Sequence, residues 1–69
     1  MNVISSLTGA EYDTNTTVRI FNQKQYAMYV KHGATIVDCG TTRSGLFYLV
    51  FGAEATKELF GKWCRRELV

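Results

Sequence analysis

The sequence predicts a small α+β domain. Three short strand patterns and two helical patterns alternate along its 69 residues in the order strand, helix, strand, strand, helix. A polar loop joins the second and third strand patterns directly, which is typical of an antiparallel hairpin. The order therefore predicts a three-stranded, mainly antiparallel sheet with both helices on one face.

The chain divides into an N-terminal segment, residues 1–16, and a single α+β domain, residues 17–69. Val3, Ile4 and Leu7 in the first part are compatible with a short edge strand or with an arm packed on the domain. Residues 9–16 are polar and rich in turn formers, so they are predicted to be a loop. Residues 17–21 alternate and are β-branched, which predicts the first strand of the domain.

Residues 22–33 carry the start and stop signals of a helix. Asn22 is a favoured N-cap residue, Gln25 completes a capping-box pattern, and Gly33 supplies a residue for the helix end. Tyr26, Ala27 and Val30 fall within one arc of the helix and form the expected apolar face. Met28 lies nearly opposite that arc and is therefore predicted to be on the outer face.

Residues 34–39 and 46–51 are the remaining strand patterns, joined by the loop GTTRSG at residues 40–45. The strand at 46–51 is apolar at every position, so it is predicted to be central, with both faces covered. Two helices can cover only one face. We therefore expect a symmetric homodimer, or edge-to-edge pairing of an outer strand, to cover the other face.

The last helical pattern runs from about residue 53 to about residue 67. Its apolar stripe consists of Ala55, Leu59, Phe60 and Trp63. Basic side chains, including Lys62 and Arg65, lie away from that stripe.

No catalytic or ligand motif is present in the sequence. The single histidine, His32, ends a predicted helix, where a cation complements the helix dipole. Asp38 is the one carboxylate predicted to be half-buried, and a structural or pairing role explains it better than catalysis. Cys39 and Cys64 have no metal-ligand spacing and are expected to be reduced. The chain is therefore predicted not to be an enzyme and to bind no cofactor or metal.

Two binding functions stay open on the residues alone. Arg43 in the glycine-rich loop could bind a phosphate or carboxylate group. The basic last helix, together with Phe47 or Tyr48 on the sheet, could bind nucleic acid by base stacking. A net charge of only +2 is weak support for nucleic-acid binding.

The layout of residues 18–67 resembles a poorly characterised family of small α+β proteins from Gram-positive bacteria, phages and mobile elements. The shared segments are VRIFNQKQ, YAMYVKHG, ATIVDCG, LFYLVFG and ELFGKW, and the shared residues are Tyr29, Gly33, Asp38, Phe51 and Trp63. The resemblance implies a phage or mobile-element accessory protein. Small proteins of that setting often act by stoichiometric binding, including inhibition of host defence systems such as CRISPR nucleases.

These observations lead to one functional hypothesis and one alternative. The chain is expected to be a non-catalytic cytoplasmic protein, without a membrane span, that binds a host or defence protein and forms a homodimer. The alternative is a small nucleic-acid-binding protein. The predicted partner contacts are Met28, Arg43, Lys62 and Arg65, because arginine is enriched at binding hot spots and exposed methionine adapts to a partner surface.

Overall fold

A computed structural model describes residues 1–68. The chain begins with β1 (Asn2–Ile4) and β2 (Glu11–Asp13), followed by a 3-10 turn (Thr14–Thr16), and it continues as β3 (Thr17–Ile20), α1 (Gln23–Lys31), β4 (Ile36–Thr41), β5 (Phe47–Gly52) and α2 (Ala53–Cys64). The α+β class is confirmed, and so is the order strand, helix, strand, strand, helix from β3 onwards. The predicted loop at residues 9–16 is wrong in part, because β2 and the 3-10 turn lie within it.

The main sheet has the order β3-β5-β4 and both pairings are antiparallel. The apolar strand β5 is central, as its composition predicts. Side chains directly opposite each other in neighbouring strands share a face. Ile20 pairs with Leu49, and both belong to the core cluster that also contains Tyr29, Phe51 and Leu68. We call this side of the sheet the helix face, since Tyr29 belongs to α1.

A β-bulge at Val37 decides on which side of the sheet Asp38 lies. Ile36 pairs with Phe51 and Asp38 pairs with Val50, so the residue between them is extra. Without that extra residue, Asp38 would be one position out of register and its carboxylate would point into the apolar core. The bulge instead places Asp38 with Val50 on the opposite side, which we call the second face.

Helix α1 begins as the sequence predicts, but it buries a different side. The Asn22 side chain accepts hydrogen bonds from the backbone N–H groups of residues 24 and 25. The buried residues of the helix are Gln25 and Tyr29, and the Gln25 amide donates to the Tyr29 hydroxyl at 3.0 Å. Tyr26 and Met28 flank that line, and both are half-buried against the core. The prediction that Met28 lies on the outer face is therefore wrong, since Tyr29 rather than Val30 is the centre of the buried arc.

Helix α2 ends at Cys64, three residues earlier than the sequence predicts. Arg66 adopts a left-handed backbone conformation with φ of 58°, which ends the helix. Leu59 and Trp63 pack against the core. Phe60, however, is 53% exposed. Ala55 is exposed as well. The predicted packing stripe is thus correct for Leu59 and Trp63 and wrong for Ala55 and Phe60.

The N-terminal hairpin of β1 and β2 covers part of the second face. Val50 points to that face and is only 1% exposed. Beside it, Asp38 accepts hydrogen bonds from the Tyr12 hydroxyl and from the Ser6 backbone N–H. The chain thus covers much of this face by itself. A homodimer was expected because the second face of the sheet would be uncovered. That reason now applies only to the part of the second face that the hairpin does not cover.

Candidate functional site

Asp38 is the junction between the hairpin and the sheet. Its carboxylate accepts from the Tyr12 hydroxyl at 2.8 Å, the Ser6 N–H at 2.9 Å and the Cys39 N–H at 2.8 Å. Burial opposes ionisation of Asp38, but these donors outweigh it and hold the pKa of the carboxyl below its ordinary value. Burial, followed by the bond to the Asp38 carboxylate, raises the pKa of Tyr12.

Ser5 forms the second link between the hairpin and the sheet. Its hydroxyl donates to the backbone carbonyl of the bulged Val37 at 2.7 Å and accepts from the N–H groups of Leu7 and Thr8. Every buried side-chain polar atom has a hydrogen-bond partner within residues 1–68. The carboxylate and hydroxyl of this cluster are therefore occupied by structural bonds, and the pairing role expected for Asp38 is what the structure contains.

The rest of the second face exposes an aromatic and basic patch. The guanidinium carbon of Arg19 lies 5.1 Å from the centre of the Tyr48 ring, and the Phe21 ring lies 5.3 Å from the same ring. Phe21 is 46% exposed. A Cβ atom at Gly40 would lie 2.6 Å from the Tyr48 hydroxyl, so the absence of a side chain at Gly40 makes room for the ring. We call Arg19, Phe21 and Tyr48 the aromatic patch.

Positive charge predominates in the middle of the chain, which includes Arg19 of the aromatic patch. Within residues 14–53 the sequence contains Arg19, Lys24, Lys31 and Arg43, and its only acidic residue is Asp38. Asp38 is buried and bonded as described, so it offers little charge to a partner. The central part of the chain therefore presents uncompensated positive charge, which favours anionic or acidic partners.

An apolar cleft of about 220 Å³ opens on the helix face. It lies between strand β3 and the two helices, and its lining residues are Val18, Ile20, Tyr29, Ala53, Thr56, Lys57 and Phe60. The hydroxyl of Thr56 donates to the Gly52 carbonyl at 2.8 Å, so its proton is not available to a ligand. Phe60 and Lys57 stand exposed at the rim. We call this feature the helix-face cleft.

The described residues offer little for metal binding. No group of three or more histidine, cysteine or acidic side chains is placed to hold a metal ion among residues 1–68. His32 is exposed and follows α1, where its backbone N–H donates to the Met28 carbonyl and the N–H of Gly33 donates to the Val30 carbonyl. No helix in the same part of the chain is both long and apolar enough to cross a membrane.

The predicted partner contacts lie on three separate elements. Arg43 is exposed in the turn between β4 and β5, and Lys62 is exposed on α2. Arg65 follows α2, is exposed and forms an ion pair with Glu67. Met28, as described above, packs against the core. None of these four residues lines the helix-face cleft or belongs to the aromatic patch.

Sequence reasoning missed the cleft and named only Tyr48 of the aromatic patch, for identifiable reasons. Phe60 was assigned to the core because it continues a helical stripe, and so the cleft beside it was not expected. Arg19 and Phe21 do alternate with Ile20 in the strand pattern, which places them on the opposite side of the sheet. That alternation was visible in the sequence, and it would have located the aromatic patch once β5 was recognised as the neighbouring strand.

Comparison with protein-family models, with curated proteins and with solved structures finds no match to this chain.

Proposed function

We propose that this protein is a non-catalytic binding protein that acts stoichiometrically on a larger protein. The observation that carries the proposal is the helix-face cleft, an apolar opening with an exposed phenylalanine at its rim. Apolar pockets edged by aromatic and basic side chains are typical places for the anchor residues of a protein partner.

The size and chemistry of the cleft favour a side chain over a small-molecule ligand. Its volume of about 220 Å³ is smaller than the roughly 300–1,000 Å³ of ordinary ligand and cofactor sites. Its lining offers few polar groups that could orient a substrate, because Thr56 is already bonded to Gly52. The cleft is therefore suited to one or two apolar side chains of a partner rather than to a substrate that must be oriented for catalysis.

The biological setting follows from the family resemblance of residues 18–67. We propose a cytoplasmic accessory protein of a phage or mobile element that masks a host protein, with a defence enzyme such as a CRISPR nuclease as the first partner to test. Arg43, Lys62 and Arg65 are the proposed peripheral contacts, where exposed basic groups would steer association. Met28 is left out, because its side chain packs against the core.

The test is capture of a partner from a Gram-positive host lysate by wild type and two matched variants. Phe60→Glu places a charge at the cleft, and Ile4→Glu places the same charge at a 68% exposed apolar residue on the hairpin. We expect Phe60→Glu to lose the captured protein and Ile4→Glu to retain it. Equal capture by both variants would contradict the assignment of the cleft.

Nucleic-acid binding is the second candidate function, and the aromatic patch is the observation that favours it. An arginine beside two aromatic rings on an exposed antiparallel sheet could stack bases and contact phosphate. The proposal predicts binding to single-stranded DNA or RNA that weakens steeply with salt. Phe21→Leu should weaken that binding at constant charge, whereas Val30→Leu, an exposed position on α1, should not.

A homodimer is also part of the proposal. Three exposed apolar residues near one end of the sheet, Phe21, Leu46 and Phe47, are between 46% and 59% exposed. We assign the dimer contact to this end, and Leu46→Lys together with Phe47→Lys should convert a dimer into a monomer. Light scattering that finds wild type monomeric at high concentration would contradict this part of the proposal.

A further inference from the structure

The two edges of the main sheet differ in how they are protected. The outer edge of β4 carries the bulge at Val37, and the carbonyl of that residue accepts a bond from the Ser5 hydroxyl. Strand β3 is the other outer strand. Within residues 1–68 the only strand that pairs with it is β5. Its outer row of backbone N–H and C=O groups is thus placed to pair with an added strand.

The open edge of β3 lies directly beside the helix-face cleft. Val18 and Ile20 point to the helix face and line the cleft. Arg19 points to the second face, where it contacts Tyr48 and is exposed. A strand added to this edge would therefore meet apolar side chains on one face and a positive charge on the other.

We infer that an extended segment of the partner protein pairs with β3 as an added strand, and that this segment has an acidic residue between two apolar residues. The two apolar side chains would lie beside Val18 and Ile20 and enter the cleft, while the acidic side chain would lie opposite Arg19. Backbone hydrogen bonds to β3 would supply register, and alternate side chains would supply specificity. The inference rests on the proposed protein-binding function and names the kind of segment recognised.

Charge complementarity supports the acidic residue in the segment. The ion pairs described within residues 1–68 join the Met1 amino group to Asp13 and Arg65 to Glu67, and neither involves Arg19. The Asp38 carboxylate already accepts hydrogen bonds from Tyr12 and Ser6 of the hairpin. An acidic side chain opposite Arg19 gains an attractive cross-strand pair, and a basic one would be repelled.

A second copy of this chain fits the edge less well. A two-fold axis normal to the sheet would pair the two β3 strands antiparallel. Centred on Arg19, this pairing sets the two Arg19 side chains opposite each other, and like charges there are destabilising. Centred on Val18, it sets Ile20 opposite Thr16, which lies in the 3-10 turn. The Arg19 register thus opposes like charges, and the Val18 register pairs only residues 17–19 within the strand.

The experiment is selection of a displayed library of random heptapeptides on wild type, Arg19→Glu and the control Lys31→Glu, which makes the same charge change at an exposed residue at the end of α1. We expect wild type and Lys31→Glu to enrich apolar–acidic–apolar segments and Arg19→Glu to enrich apolar–basic–apolar segments. The best wild-type peptide should bind Arg19→Glu about tenfold more weakly, as expected for replacing an attractive cross-strand pair by a repulsive one. Its binding should protect the β3 backbone N–H groups from hydrogen exchange.

Three results would overturn the inference. One is a peptide pattern unchanged by Arg19→Glu, and another is protection of backbone N–H groups outside β3. The third is protection of the outward-facing N–H groups of β3 in wild type without peptide, which is lost when dilution dissociates a dimer; that result would mean that a second copy occupies the edge. If no peptide is enriched but the lysate partner is still captured in a Phe60-dependent manner, this inference fails and the proposed function stands.

Discussion

Removing the Tyr12 hydroxyl tests whether Asp38 holds the N-terminal hairpin to the sheet. Tyr12→Phe keeps the ring and deletes one hydrogen bond of 2.8 Å to a carboxylate. Hydrogen bonds to charged groups contribute about 1.5–3 kcal/mol. Asp38 keeps its two N–H donors, from Ser6 and Cys39, and Tyr12 is only half-buried. We therefore expect a loss of about 1.5–2 kcal/mol in the free energy of unfolding, at the lower end of that range.

That loss is large for a chain of this size. A domain of 69 residues is expected to have a total stability of roughly 3–10 kcal/mol. In a small domain, each 1 kcal/mol shifts the melting temperature by about 4–8 °C. Thermal unfolding followed by circular dichroism should therefore show Tyr12→Phe melting roughly 6–16 °C below wild type at pH 7.

The pH dependence of this difference gives a sharper test. The folded pKa of Asp38 lies below its ordinary value of 3.8, so its bonds stabilise the fold above that pH and are lost as pH falls through the folded pKa. The folded pKa of Tyr12 lies above 10.0, so its contribution is present below pH 10 and is lost as pH rises through the folded pKa. The stability gap between wild type and Tyr12→Phe should therefore be widest between these limits.

The matched control is Tyr48→Phe. The Tyr48 ring packs against Arg19 and Phe21, and within residues 1–68 its hydroxyl makes no hydrogen bond. We expect this variant to melt within about 2 °C of wild type, since surface changes are usually within about 0.5 kcal/mol. A Tyr12→Phe variant that melts as close to wild type, or a gap that stays constant in acid, would refute the anchoring role of Asp38.

Three further substitutions test the helices and the sheet by denaturant unfolding. Asn22→Ala removes the acceptor for two N–H groups at the start of α1 and should cost about 1 kcal/mol; an unchanged midpoint would contradict the cap. Gly40→Ala places a Cβ 2.6 Å from the Tyr48 hydroxyl and should cost about 1–3 kcal/mol. The same change should cost much less in a protein that already carries Tyr48→Ala, and an equal cost in both backgrounds would contradict the contact. Trp63→Ala should cost about 2–3 kcal/mol, below the 3–5 kcal/mol of a fully buried aromatic, because Trp63 is half-buried against the core; a nearly unchanged midpoint would place it on the surface.

The regular elements of this fold could be predicted because they depend on local patterns. The composition of β5 identified it as the central strand, and Asn22 marked the start of α1. The buried face of α1 was missed because Gln25 was counted as polar, whereas its side chain is buried by bonding the Tyr29 hydroxyl. Pattern rules assign burial by residue type, and a polar side chain whose partner lies one turn away escapes them.

The N-terminal hairpin could not be predicted from its own residues. Its strands are three residues each, too short for a periodic pattern, and it is joined to the sheet through a carboxylate distant in the sequence. The useful signal was Asp38, an acidic residue in an apolar strand, which needs hydrogen-bond donors from elsewhere. Neither the bulge at Val37 nor the cleft beside Phe60 has a local signature, since both depend on how separate elements meet.

The hairpin also constrains the order in which the chain can acquire its structure. Its residues are made before their bonding partners during synthesis, with separations of 32 residues for Ser5 and Val37 and 26 for Tyr12 and Asp38. Contacts between distant residues must overcome a larger loop-closure entropy and form slowly. Until β4 pairs with β5, the face on which the hairpin rests does not exist. We therefore expect docking of the hairpin to be a late folding step, and Val50 to stay exposed to chaperones or to aggregation until it occurs.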